Sequence, residues 1–286
     1  MLVVESAGIT DVGKKRKGNE DFLFLDDAMG LYVLADGMGG HQAGEVASEL
    51  VVDTIRDYMK QFKEGDPDDV DDLEDADESL SKEANRILTG VRRANREVHQ
   101  VAQTKASYHG MGSTVATVYI TSERLIVGNV GDSPVYLIHN GDIELLSVIH
   151  NVITEQSAIN PEAAEQIGEQ YKHLLTRAMG IEETVQPDII EIQHFDGDMV
   201  VLSSDGLTDL VSPEEIRDVV NKERHDKACQ TLVDMANARG GHDNITVIVL
   251  KIKTAKSQKG WGRRLTPRIT EGVVVLLKKL FHHLKR

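Results

Sequence analysis

Apolar residues recur along this chain in two rhythms, and the changes between them divide it into elements. Residues 2–9 and 22–25 read as short strands. Leu31, Val33 and Ala35 then alternate with Tyr32 and Leu34 in a third run that stops at Asp36-Gly37-Met38-Gly39-Gly40. Over residues 41–62 the period lengthens to that of a helix, with Val46, Leu50, Val51, Ile55 and Met59 on one face. Residues 80–101 repeat the pattern through Ala84, Ile87, Leu88, Val91, Ala94 and Val98, so an antiparallel helix pair packed on a sheet is expected. Four β-rich runs follow at 113–120, 124–130, 134–139 and 142–146, expected as one antiparallel meander with a hairpin at Asn140-Gly141. Residues 150–169 are predominantly helical, with Asn160-Pro161 opening the second part, and the stretch to 183 lacks strand signals. A flap-like excursion over about 147–185 is the expectation. Strands return at 188–193 and 199–204. A helical turn at 207–211, a capping-box start at Ser212-Pro213-Glu214-Glu215, a helix at 227–238 and a closing strand at 245–252 complete the body.

The length of 286 residues and 40% hydrophobic content suit one catalytic body with appendages. The formal charge of -15 is unevenly spread. Residues 251–286 hold eleven Lys and Arg against one acid, a net +10, which leaves -25 on residues 1–250. That balance argues against nucleic-acid binding by the body. Ten acids fall within residues 64–78 without a base, the composition of a mobile acidic insertion. With one cysteine, Cys229, no internal disulfide is possible. The opening MLVVESAGIT lacks the basic and long apolar regions of a secretory signal, so a reducing cytoplasm is expected.

The candidate chemistry sits where strands meet glycine turns. Asp36 alone fits either a solvated Asp-Gly turn or the seat of a hard cation, but Asp205-Gly206 repeats the arrangement. Asp243 beside Gly240-Gly241 and Asp132 beside Gly131 come close to it, with Glu20 and Asp21 at the start of the second strand. Brought to one end of a sandwich, six carboxylates need cations, because clustered unpaired charges are too costly. The donors are oxygens, with no zinc-type Cys or His spacing, which favours Mg²⁺ or Mn²⁺. Two such ions about 3.5–4 Å apart could share Asp36 and a hydroxide and support in-line displacement at phosphorus. Arg16, among Lys14, Lys15 and Lys17, is either a surface charge or a fork for a phosphate.

Several ordered stretches resemble the metal-dependent protein phosphatase 2C family of bacterial serine/threonine phosphatases. They are Thr10-Asp11-Val12-Gly13 with Arg16 and Asn19-Glu20-Asp21, Asp36-Gly37-Met38-Gly39-Gly40-His41 with Gly44-Glu45, and Gly112-Ser113-Thr114. Gly131-Asp132-Ser133, Leu175-Thr176-Arg177-Ala178-Met179-Gly180, Ser204-Asp205-Gly206-Leu207 and Gly241-His242-Asp243-Asn244-Ile245-Thr246 complete the set. The resemblance spans roughly residues 5–252. It implies an α+β, four-layer αββα sandwich, two antiparallel sheets flanked by helix pairs, with two Mn²⁺ or Mg²⁺ ions in the cleft and a weaker third. By position it implies that Asp36 bridges both ions, that Gly37 lends its carbonyl, that Asp205 and Asp243 hold one ion, and that Glu20 helps hold the other. Arg16 would anchor the phosphate, Asp132 with Asp205 would form the third site, and Asp21 would stand behind the ligands. The implied reaction is attack by the bridging hydroxide on phosphoserine or phosphothreonine in proteins, opposing a serine/threonine kinase.

Three positions depart from the family pattern. Met38 stands where some relatives carry a histidine thought to act as general acid, which leaves His41 either as acid or as a brace of the turn. Pro134 and Ile149 replace an arginine and an aspartate on the side of the third site and flap. Outside the resemblance, residues 273, 276, 277, 280, 281 and 284 line one apolar face of a basic amphipathic helix too short and charged to span a bilayer. With Trp261 nearby, residues 261–286 fit an anionic membrane surface at the inner face, an intramolecular contact with the acidic body, or a partner protein. A monomer is expected. The competing functions are a catalytically silent phosphoprotein-binding scaffold, which should have lost metal ligands, and a phosphodiester hydrolase, which the acidic body disfavours.

Overall fold

The computed structural model describes residues 2–39, 43–64, 73, 75–164, 167, 168, 171 and 174–254. Eleven strands and seven helices are named within them, together with one short 3-10 turn at Ala106–Tyr108. In chain order they are β1 Leu2–Asp11, β2 Asp21–Asp26, β3 Leu31–Met38, α1 Ala43–Glu64, α2 Lys82–Ala102, β4 Gly112–Ser113, β5 Val115–Ile120, β6 Arg124–Val130, β7 Val135–His139 and β8 Asp142–Leu145. They continue with α3 Val152–Ile159, α4 Pro161–Ala164, β9 Asp188–Gln193, β10 Met199–Ser203, α5 Asp205–Thr208, α6 Pro213–Lys222, α7 His225–Ala238 and β11 Ile245–Thr254.

Two antiparallel sheets result. One has the order β1-β11-β10-β7-β8, the other β2-β3-β5-β6-β9 with β4 on the end of β3. The apolar positions of the central strands sort by parity. In β3, Leu31, Val33 and Ala35 pack against α1 and α2, while Tyr32 and Leu34 fill the space between the sheets. In β11, Ile248, Leu250 and Ile252 face that same space, and Ile245, Val247 and Val249 pack against α6 and α7. Three apolar layers therefore separate four structural layers, helix pair, sheet, sheet and helix pair, as the resemblance implied.

Local chemistry fixes the element ends. Ser81 caps α2 by accepting from the Ala84 amide at 3.1 Å, and Ser212 with Glu215 forms the expected capping box ahead of α6. Asn140 and Gly141 both take positive φ and close the two-residue β7–β8 hairpin, in which His139 pairs with Asp142.

The expected meander is not one. The run at 113–120 splits into β4 and β5, β5–β6 belongs to the second sheet, and β7–β8 belongs to the first. Residues 131–134 cross from one sheet to the other, starting from Gly131 at φ 98°. Asn160, extended ahead of Pro161, separates α3 from α4 at the expected junction, and the described residues 167 and 168 are not helical. The described part of the compact unit ends with β11 at Thr254. The amphipathic tail at 255–286, His41 and most of the acidic insertion lie outside the described residues.

Candidate active site

The rows of side chains facing between the sheets end in oxygen donors at one end of the sandwich. Leu23 and Leu25 of β2 lead back to Asp21, and Tyr32 and Leu34 of β3 lead on to Asp36. Val200 and Leu202 continue to Ser204, Ile248 and Leu250 lead back to Thr246, Ala116 and Val118 to Thr114, and Val135 and Leu137 to Ser133. A period of two carries the same face past the last apolar residue, so a polar layer caps the inter-sheet core.

The layer is hydrogen-bonded. Asp21, paired with Asp36 across the β2–β3 ladder, accepts through Oδ2 from Thr246 Oγ1 at 2.6 Å and Ser204 Oγ at 2.8 Å. Its Oδ1 is buried without a hydrogen-bond partner. Thr114 Oγ1 accepts from the Asp36 amide at 3.0 Å and meets Ser133 Oγ at 2.7 Å. Asn244 ties in the β1–β2 loop: its Nδ2 donates to the carbonyls of Val12 and Gly18 at 3.0 and 2.9 Å, and its Oδ1 accepts from the Glu20 amide at 2.8 Å.

Two glycines allow the backbones to close. A Cβ on Gly37 would stand 2.0 Å from the Gly44 carbonyl oxygen and 2.7 Å from that of Glu20. One on Gly206 would stand 2.0 Å from the Asn244 carbonyl oxygen. Glycine thus lets the start of α1, the Glu20 segment, α5 and the turn before β11 converge.

Above this layer lies a cleft of about 910 Å³ lined by Arg16, Glu20, Asp36, Gly37, Asp132, Asp205 and Asp243. Seven of the nine predicted positions therefore meet. Asp21 lies buried beneath them, and His41 is outside the described residues. Asn244 and Thr114 also line the cleft, and Arg92 reaches it from α2. Pro134 and Ile149 both line a second cavity of about 290 Å³, together with Asp132 and Asp205.

The clustered carboxylates raise one another's proton affinity. Burial, reinforced by Asp21, Asp205, Asp243 and Asp132, raises the Asp36 carboxyl well above the usual aspartate range. Burial pushes Asp21 up to about 7 despite its two hydroxyl donors, with Asp205 and Asp243 adding to the rise. Glu20 is raised, again chiefly by burial. Arg16 Nη2 donates to Asp243 Oδ2 at 2.6 Å, and this pairing raises the guanidinium pKa despite the opposing effect of burial.

Among the described residues, no three acidic, His or Cys side chains are drawn together closely enough to hold an ion. The donor set nevertheless fits hard divalent cations. It is made of carboxylate and carbonyl oxygens, burial and neighbouring acids disfavour the charged form of Asp36, and Asp21 Oδ1 is an orphaned buried acceptor behind it.

Asn244, Thr114, Ser133, Ser204 and Thr246 fall within the motifs named above, which assign them no role. For Thr114, Ser133, Ser204 and Thr246 the signal is the continuation of each strand's alternation beyond its apolar residues.

The protein phosphatase 2C family model matches residues 14–248. Protein phosphatase PhpP of Streptococcus pneumoniae (serotype 2, strain D39) is 33% identical over 257 residues, covering 87% of this chain and 98% of its own. The crystal structure of the Mycobacterium tuberculosis serine/threonine phosphatase PstP/Ppp superposes with a TM-score of 0.75 at 29% identity, covering 88% of this chain and 100% of the other. The catalytic domain of serine/threonine protein phosphatase PstP in complex with two manganese ions does so at 0.73 and 29%, covering 89% and 100%. With the family model spanning most of the sandwich and the oxygen donors gathered in one cleft, this chain belongs to the protein phosphatase 2C family of metal-dependent serine/threonine protein phosphatases.

Proposed function

We propose that this cleft removes phosphate from phosphoserine and phosphothreonine in proteins, with Asp36, Gly37, Asp205, Asp243 and Glu20 as the residues that would hold two divalent cations. Asp132 would serve a weaker third site with Asp205. Bound there, Mn²⁺ or Mg²⁺ supplies an activated water and Lewis acidity toward the phosphoryl group.

The chain's own groups do the rest. Arg16 presents a fork that neutralises and orients the phosphate once it leaves Asp243. Thr114 and Ser133 fix the backbone that aims Asp36, Asn244 fixes the loop that carries Arg16 and Glu20, and Ser204 with Thr246 holds Asp21 beneath them. The observation that carries the reading is the ending of the inter-sheet rows in oxygen donors around one cleft that also contains Arg16. A silent scaffold would not need this set. The test is Mn²⁺-dependent release of phosphate from a phosphothreonine peptide. Chelator and Asp36→Ala should each abolish it, and turnover that survives both would refute the assignment.

The setting is a further part of the proposal. The enzyme opposes a serine/threonine kinase in the cytoplasm and is held at the inner membrane face by residues 261–286. The basic charge and apolar periodicity of that segment support this. Co-sedimentation with anionic vesicles should be lost when residues 255–286 are deleted. A full-length chain that stays in the supernatant would rule the membrane out.

A further inference from the structure

Metal and phosphate chemistry leaves one part of the cleft unused, an apolar ledge beside the oxygen donors. Met38 follows Asp36 by two residues in β3, so both project from the same face, roughly 7 Å apart along the strand. Met38 Cε and Ile181 Cδ1 converge over Gly112, where a Cβ would stand 2.6 Å from the first and 3.0 Å from the second. Leu174 and Val185 extend the wall. Ile181 and Leu174 remain 48% and 53% exposed, although they line a cleft otherwise dominated by polar and charged groups. Large aliphatic side chains held open to water forgo the stabilisation of burial until something covers them. A small phosphate ester, gripped at the Arg16 end, has no atoms with which to do so.

We propose that Met38, Ile181, Leu174 and Val185 form the subsite for an apolar side chain adjacent to the phosphorylated residue, so that the enzyme selects phosphoproteins carrying Leu, Ile, Val, Met or Phe there. This rests on the phosphoprotein reading above and names its substrate class. The occupant is the substrate because the ledge and the phosphate-binding residues line one continuous cleft. Charge around the ledge is mixed, Asp75 and Glu182 standing with Arg92 and Arg177 in the same lining, so apolar contact rather than charge sets the preference.

The experiment compares kcat/KM of the full-length, Mn²⁺-loaded chain on phosphothreonine peptides that differ only at the two flanking positions, carrying Leu, Ala or Asp. p-Nitrophenyl phosphate serves as a small ester. Leu should exceed Ala by roughly tenfold, carried by KM, and Asp should gain nothing over Ala. Ile181→Ser and Leu174→Ser should each bring the Leu-to-Ala ratio toward one, and a ratio taken within each variant is insensitive to partial loss of folded enzyme. Equal values for all three peptides, as a ledge already covered by another segment or protein would give, overturn the proposal. A Leu preference that survives both substitutions overturns it too. No turnover of any peptide or of p-nitrophenyl phosphate would instead remove the phosphatase reading, and this inference with it.

Discussion

Asp21 and Asp36 stand directly opposite each other in the β2–β3 ladder, both facing the space between the sheets. Two like charges at paired positions destabilise a sheet, and here both are also taken from water. The pair is tolerable when protonated or when cations lie above it. Burial pushes Asp21 up to about 7, above the usual 3.8, and raises Asp36 in the same direction.

The sign of the resulting pH dependence is opposite to that of a salt-bridged carboxylate. Between about pH 4 and 7 the metal-free folded chain binds more protons than the unfolded chain, so its stability is greatest on the acid side and falls as pH rises through that window. The loss is of the order of a few kcal/mol. Thermal melts of chelator-treated protein should show a lower Tm at pH 8 than at pH 5, and Mn²⁺ should restore it at pH 8. Asp21→Asn should flatten the metal-free profile. A profile that rises with pH in both proteins would show that these carboxyls are not the groups responsible.

Arg16 and Asp243 form a 2.6 Å ion pair whose side chains are 49% and 34% exposed. Solvent screening leaves such a pair worth less than about 1 kcal/mol to stability, but it engages a proposed cation ligand. Arg16→Ala should therefore act in opposite directions on two ligands. It removes a competitor for Asp243, so half-saturation by Mn²⁺ should occur at lower concentration. It also removes the phosphate fork, so KM for a phosphopeptide should rise about tenfold or more. Arg16→Lys should recover part of the KM effect, since charge returns without the bidentate geometry. Metal titration and steady-state kinetics on the same preparations separate the two, and a KM unchanged in Arg16→Ala would end the phosphate assignment.

Asn244 is buried and joins three backbone groups of the β1–β2 loop. Asn244→Ala leaves one amide and two carbonyls without that partner, at a cost of about 2–4 kcal/mol. Because the loop carries Arg16 and Glu20, kcat/KM should fall even at temperatures where the variant is folded. Urea denaturation and kinetics at 25 °C check both effects, and Asn244→Asp should restore the bond from the Glu20 amide but not the two donations.

The legibility of these features tracks the range of the interactions behind them. The alternation in β3, the helical period of α1 and α2, the Asn140-Gly141 turn and the Ser212 capping box are local, and the observed elements follow them within a few residues. Which sheet a hairpin joins is not local. β5–β6 and β7–β8 have equally good patterns, and only the crossing at 131–134 assigns them to different sheets. The carboxylates were readable because Asp-Gly at a strand end is a short pattern. The Asn244 hub was not, because its partners lie 224 to 232 residues away and nothing in the pattern of an Asn-Ile-Thr strand start points to them.

His150, next to Ile149, acts as a structural brace. It is fully buried, and its Nδ1 accepts from the Gly131 amide at 3.1 Å, so Nε2 carries the proton and donates to Asp188 Oδ2 at 2.7 Å. Arg177 donates to the same oxygen at 2.8 Å; burial pushes the Asp188 carboxyl up, but His150 and Arg177 together hold it below its usual value. The backbone of His150 exchanges a bond with the Gly131 carbonyl on one side and the Thr176 amide on the other. One side chain thus joins the turn that carries Asp132 to the segment that carries Arg177. His150→Ala should cost about 3 kcal/mol, combining a cavity with an orphaned Gly131 amide. Asp188→Asn keeps an acceptor for the imidazole and should cost less, about 1 kcal/mol. If the brace also sets Asp132, the alanine variant should need more Mn²⁺ for half-maximal turnover than the asparagine variant. Urea midpoints give the first comparison and Mn²⁺ titrations of activity the second. Equal midpoints for wild type and His150→Ala would mean that the turn holds its shape without the histidine.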